Sequence, residues 1–193
     1  MNIDVAAVDS RVWYLGLIAL ISLQRLWELA LSKRHARKLE DLGGYEVGGD
    51  HYRWMVALHI AFLISCALEP WLADRRFSPL VGGVALVVLA AAQILRWWTM
   101  ATLGERWTTR VMVVPGAPPI TTGPYRWMRH PNYVAVIAEM AAIPMVHTAW
   151  VTAVVFSLLN LGVLSARLEV ENEILEAMDT KNDPSRAGQS TWA

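Results

Sequence analysis

The chain has 193 residues, of which 55% are hydrophobic and 18% charged, with a formal net charge of zero. Soluble domains run nearer ~25% charged, and a neutral chain has no electrostatic footprint for nucleic acid. The single cysteine, Cys66, excludes an intrachain disulfide and a thiolate metal cluster, and is read as core packing.

The apolar residues fall in five segments, at 12–31, 54–73, 79–101, 132–147 and 149–166. A run of ~20 apolar residues crosses the hydrocarbon core as a helix. The predicted fold is therefore all-α and membrane-integral, a single domain with five transmembrane helices. The first segment carries Arg25, Trp27 and Glu28 and has no small-residue cleavage site after it, so it is read as a retained helix. The last two segments are short and nearly contiguous, which predicts a helical hairpin turning near His147 and Thr148.

Twelve Lys and Arg residues lie in the two long loops and the tail, against Arg11, Arg75 and Arg76 on the other side. This bias predicts that the long loops and C-terminus face the cytosol and the N-terminus lies outside. Trp13, Trp54, Trp71, Trp97, Trp98 and Trp150 fall near the span ends, as interfacial tryptophans do.

The connection 103–131 interleaves five prolines and three glycines with Arg and aromatic residues. Its prolines deny regular helix, and its aromatic content argues against disorder. It is either a functional loop or a surface loop contacting lipid head groups. After the fifth segment comes RLEVENEIL, where Arg167 and Glu171 are i,i+4 neighbours on one helix face. They form either an interfacial ion pair or a cation and carboxylate at a ligand cavity. Within the spans, Arg25, Glu28, His59, Glu69, Arg96 and Glu139 are ionisable. Such residues face the bundle interior or snorkel from span ends. Glu139 lies about two turns into its helix, paired structurally or contacting ligand. The five histidines show no HExxH or other metal-ligand spacing, so no metal is expected.

The stretch GPYRWMRHPNY, followed after a hairpin by RLEVE, resembles the isoprenylcysteine carboxyl methyltransferase family of integral membrane enzymes. The matching residues are Gly123, Tyr125, Arg129, His130, Pro131, Tyr133, Arg167 and Glu171. The resemblance implies a methyltransferase using S-adenosyl-L-methionine in a cytosolic pocket. Tyr125, His130, Pro131, Asn132 and Tyr133 would line that pocket, and the backbone of Ala117, Pro118, Pro119 and Ile120 would complete it. Glu171 would contact the cofactor. Arg167 would be the catalytic residue that orients the substrate, with Glu139 as a second substrate-binding residue. The family's second acid is here Asn172.

The N-terminal half, with RLWELALSKRHARKLEDLGGYEVGGDHY and GERWTTRVMVVPGAP, is similar to a bacterial subgroup that includes alkylpyrone O-methyltransferases. That implies an amphiphilic small molecule or a prenylated substrate as acceptor, with membrane lipid around it, in a bacterial inner membrane. Methyl transfer to an oxygen, carboxylate or enol, is the leading reading. Phospholipid N-methylation, an NADPH-dependent membrane reductase and a non-enzymatic scaffold are the rivals.

Overall fold

A computed structural model describes the backbone of residues 5–182 and the side chains of residues 10–49 and 52–169. Five α-helices carry the fold: α1 (Val5–Asp41), α2 (Gly49–Leu72), α3 (Pro79–Leu103), α4 (Pro131–Met145) and α5 (Trp150–Asn182). Two short strands, β1 (Tyr45–Val47) and β2 (Val111–Val113), pair antiparallel with Tyr45 opposite Val113.

In hydrocarbon every backbone polar group must be satisfied within its own segment, so apolar runs of this length become helices. Four helices, α1, α2, α3 and α5, are long and apolar enough to cross a membrane. The fourth expected span, at 132–147, is the exception. α4 has 15 residues, about 22 Å at the helical rise, which is short of a ~30 Å hydrocarbon core. It nevertheless packs along most of α3. Trp127, just before it, packs on Trp98 near the end of α3, and Val146, just after it, lies against Gly82 near the start of α3. The expected hairpin is present: Thr148 takes a positive φ of 54° between α4 and α5. The expected last span and the following amphipathic helix are one continuous helix, α5.

The exterior is apolar and the interior partly charged. Leu20, Leu23, Val87, Ile94 and Leu158 are each more than 60% exposed, whereas Glu28, Arg96 and Glu139 are 5% exposed or less. A lipid-facing surface produces that inversion. The six tryptophans expected at span ends are all exposed.

At one end of the bundle the start of α1, the α2–α3 connection and the α4–α5 turn meet. Arg11 pairs with Asp74 at 2.5 Å, Thr148 donates to the carbonyl of Arg76, and Arg75 lies over the Trp150 ring. Glu69 does not snorkel: it accepts the backbone N–H groups of Val151 and Thr152 and so caps α5. An apolar core follows, with Tyr14, Ile18, Phe62, Cys66, Leu89, Met140 and Ile143.

In the middle sits a closed charge cluster. Arg96 reaches Glu139 through Nε at 2.9 Å and Nη2 at 2.6 Å, a bidentate pairing. Arg25 reaches Glu28 at 2.5 Å and Glu139 at 3.1 Å, and Arg96 Nη1 stands 3.5 Å from Glu28. Gln24 donates to both Glu28 and Gln93. Arg25, Glu28 and Arg96, for which snorkelling was an open reading, therefore pair inside the bundle. The Glu139 carboxylate, expected to bind substrate or to pair, is held by two guanidinium groups.

At the far end, the turn before α4 is fixed by a close approach. Gly123 has φ +58°, and a Cβ there would stand 2.3 Å from Thr102 Oγ1. Only glycine fits this position between α3 and the 3-10 turn Gly123–Arg126.

Two outcomes follow for thermal unfolding in detergent. Glu139→Ala leaves Arg96 buried without its main partner and should cost about 3–5 kcal/mol, a loss of order 10 °C. A shift under 2 °C, roughly half a kcal/mol, would show the cluster to be dispensable. Gly123→Ala should cost about 1–3 kcal/mol, part of it recovered by adding Thr102→Ala. Strictly additive effects would mean that the contact with Thr102 does not set the turn.

Candidate functional site

The site end of the bundle is built around the prolonged C-terminal end of α1. Ser32 Oγ accepts the Thr109 N–H at 2.9 Å, and His35 Nδ1 donates to the Trp107 carbonyl at 2.8 Å. Lys38 pairs with Glu105. These contacts draw the segment after α3 against α1, and β2 then pairs with β1 ahead of α2. The pairing places Arg110 beside Glu46 at 2.6 Å and over the Tyr52 ring at 5.0 Å. Burial pulls the Arg110 guanidinium down, but the hydrogen-bonded Glu46 carboxylate overcomes it and holds the pKa above the ordinary arginine value. Arg110 therefore stays charged.

Between this small sheet and α5 lies a cavity with about 400 Å³ of empty space, open to solvent. Its polar wall comes from Glu46, Tyr52, Thr109, Arg110 and Arg167, and its apolar wall includes Met55 and Val163. Arg167 is the link to α4. Its guanidinium stands 5.6 Å from the Tyr133 ring centroid, and its Nη1 lies 3.2 Å from the Met55 sulfur. Its Nε is buried without a hydrogen-bond partner. Tyr133 stacks on His130 with centroids 5.3 Å apart and ring planes 11° apart. Between these two rings in sequence, Pro131 opens α4 and is buried, and the Asn132 amide oxygen is buried without a partner.

The structure places Arg167 beside the Arg-His-Pro-Asn-Tyr stretch: His130, Tyr133 and Arg167 form one run of contacts. Tyr125 sits in the 3-10 turn before α4, next to the buried Pro124. Ala117, Pro118, Pro119 and Ile120 are placed elsewhere among the described contacts. The Ala117 N–H donates to Val114, and the Pro118 carbonyl accepts from Arg106 at 2.8 Å. None of the four lines the cavity at Arg167. Glu171 lies on α5, its side chain outside the described residues. Among the described residues no group of three or more His, Cys, Asp or Glu side chains could hold a metal.

Sequence reading missed the opposite wall of the cavity. Arg110 entered only as a basic loop residue, and Glu46, Tyr52 and Met55 were not singled out. The sole available signal was the pair of flanking segments YEV and VMV, each too short to show strand periodicity.

Residues 84–177 match the isoprenylcysteine carboxyl methyltransferase (ICMT) family. They span most of α3, the connection, α4 and most of α5, and so include every residue of the Arg-His-Pro-Asn-Tyr and Arg167 run. The chain is 38% identical over 165 residues to Uncharacterized protein YpbQ of Bacillus subtilis (strain 168), covering 86% of this chain and 98% of that protein. It is 24% identical over 159 residues to an Uncharacterized protein of Haemophilus influenzae (strain ATCC 51907 / DSM 11121 / KW20 / Rd), covering 82% of this chain and 92% of that protein. No solved structure matches the chain significantly. With four helices able to cross a membrane and this match over the site, the chain belongs to the isoprenylcysteine carboxyl methyltransferase family of membrane methyltransferases.

Proposed function

We propose that this protein uses S-adenosyl-L-methionine to methylate an oxygen, carboxylate or enol, of an amphiphilic lipid-like molecule at the cytosolic membrane face. The N-terminus would lie outside and the C-terminus in the cytosol of a bacterial inner membrane. The observation that carries the choice of oxygen is the pair of guanidinium groups, Arg110 and Arg167, lining one cavity with Met55 and Val163. Two arginines against an apolar wall suit an anionic head on a hydrocarbon tail. An amine acceptor would gain nothing from either.

The residues fit the cofactor by their unfilled hydrogen-bonding capacity. The Asn132 amide oxygen is a buried acceptor awaiting a donor, and it lies beside the stacked His130 and Tyr133 rings. A molecule with ammonium and adenine N–H donors and a flat base answers both features. Asn132, His130, Tyr133 and, by family resemblance, Glu171 and Tyr125 would hold it. When bound, S-adenosyl-L-methionine supplies an electrophilic methyl on a sulfonium sulfur.

The remaining chemistry falls to this chain. Arg167 has a buried Nε–H without a partner, and that donor is available to an acceptor oxyanion. The Tyr133 ring and the Met55 sulfur, which accepts from Nη1, hold the guanidinium in place. An acceptor carboxylate is already ionised at neutral pH, so no strong general base is required. Transfer from a sulfonium to an oxyanion cancels charge, and the apolar wall of Met55 and Val163 favours that change. Catalysis here is positioning, and the loss of a positioning group commonly costs about 100-fold.

Transfer of tritiated methyl from the cofactor into a lipid extract, with mass analysis of the product, identifies the acceptor. Arg167→Ala should lower turnover about 100-fold while calorimetric binding of S-adenosylhomocysteine stays within about twofold. Glu171→Ala should weaken that binding about tenfold, the loss of a charged hydrogen bond. Unchanged cofactor affinity in Glu171→Ala, or an affinity loss confined to Arg167→Ala, would overturn this division of roles. Binding of NADPH in place of S-adenosylhomocysteine would overturn the transferase reading itself.

A further inference from the structure

A second cavity lies further along the bundle, between α1, α2 and α4, with about 270 Å³ of space that includes its open side. Ile21, Phe62, Leu63, Val136, Met140 and Ile143 make most of its wall apolar. Three polar side chains, Arg25, His59 and Glu139, also line it. The two cavities are neighbours along α2: Met55 lines the first and His59, one turn further in, lines the second. Along α4, Tyr133 meets Arg167 at the first cavity and Val136 lines the second.

The polar groups of this cavity are specific about what they still need. His59 Nδ1 lies 2.8 Å from the Met55 carbonyl, which can only accept, so Nδ1 carries the proton. A neutral imidazole then presents Nε2 as an acceptor. Arg25 uses one N–H of each Nη on Glu28 and Glu139 and has five donors in all. One wall therefore offers an acceptor, His59 Nε2, and a cation with donors to spare, Arg25. The charges of Arg25, Glu28, Arg96 and Glu139 already balance within their cluster, so the cavity does not call for a charged guest. A hydroxyl answers both offers at once, donating to the imidazole and accepting from the guanidinium. A carbonyl or an ether has no proton to give His59, and a plain alkyl chain leaves both groups unanswered.

We infer that this cavity is a tail subsite, and that the acceptor is an anionic amphiphile whose hydrocarbon chain carries a hydroxyl group bound by His59. The inference rests on the oxygen-acceptor reading of the first cavity and adds the chemistry of the chain behind the head group. The anionic head lies at Arg167 and Arg110, the chain passes Met55, and the hydroxyl meets His59 and Arg25. No covalent step occurs at the second cavity; it selects the substrate and fixes its depth.

The test uses the full-length protein in lipid nanodiscs with hexadecanoic acid and its mid-chain monohydroxy isomers as probes. Calorimetry on the wild type should give at least one hydroxy isomer an affinity about five- to tenfold above the unsubstituted acid, the worth of one buried hydrogen bond. His59→Phe keeps the ring volume, removes the acceptor, and should erase that preference while leaving the unsubstituted acid unchanged. His59→Gln restores an acceptor oxygen and should return part of it, which separates recognition from a packing defect. Equal affinity for every probe in the wild type, absence of binding by all of them, or a preference that survives in His59→Phe would overturn the subsite. Methyl transfer to the probes is scored separately. Methylation without hydroxyl preference removes the subsite and leaves the oxygen-acceptor reading standing. A His59-dependent preference without methylation of any oxygen acceptor removes that reading and leaves the subsite.

Discussion

Arg25, Glu28, Arg96 and Glu139 are buried together at mid-bundle, in a molecule whose outer surface is leucine, isoleucine and valine. Each of these charges would be costly alone in hydrocarbon. Their partners come from three helices: α1 gives Arg25 and Glu28, α3 gives Arg96 and α4 gives Glu139. Sliding any one helix by a turn would strand a charge. Apolar packing between helices in lipid gives little penalty for such a slide, because lipid tails are as apolar as leucine. The charge cluster therefore sets the register of α1, α3 and α4, and both cavities take their shape from that register.

Register at the centre has consequences at each end. With α4 pinned through Glu139, Tyr133 lies about two turns nearer the site end, where Arg167 of α5 can pack on its ring. With α1 pinned through Arg25 and Glu28, its next turns carry Ser32, His35 and Lys38 out to the segment after α3. That segment is then long enough to bring Arg110 back across to α5. The two guanidinium groups of the first cavity arrive by separate routes, one along α5 and one through the β1–β2 pairing. At the opposite end Glu69 caps α5, so the helix that bears Arg167 is anchored where it begins.

The parts of the fold legible in the sequence are those governed by local physics. Apolar runs mark α1, α2, α3 and α5, and the hairpin at Thr148 follows from two short runs in succession. The motif from His130 to Tyr133 and the residue Arg167 stood out through the family resemblance, while locally they showed only helix entry at a proline and an i,i+4 spacing. The parts not legible are those decided by partners distant in sequence. Arg96 and Glu139 are separated by 43 positions, and nothing near either one says whether it pairs or snorkels. Glu46 and Arg110 are separated by 64. Their strands have three residues each and owe their existence to each other. α4 is as short as its apolar stretch, and the positive φ at Thr148 turns the chain into α5.

The charge arrangement also bears on how a membrane enzyme can accept an anion without trapping it. Arg110 is shared with Glu46, and Arg25 and Arg96 are each paired with carboxylates that balance their charge. Arg167 differs, since among the described residues its contacts are a sulfur and a ring, neither of which neutralises it. One cation held by soft, uncharged neighbours attracts an oxyanion strongly while the cavity is filled. Under the proposed oxygen methylation the anion would vanish on transfer, and the same arginine would have little reason to retain the product. In the same proposed reaction, Met55 and Tyr133 would hold Arg167 in place without competing for the anion.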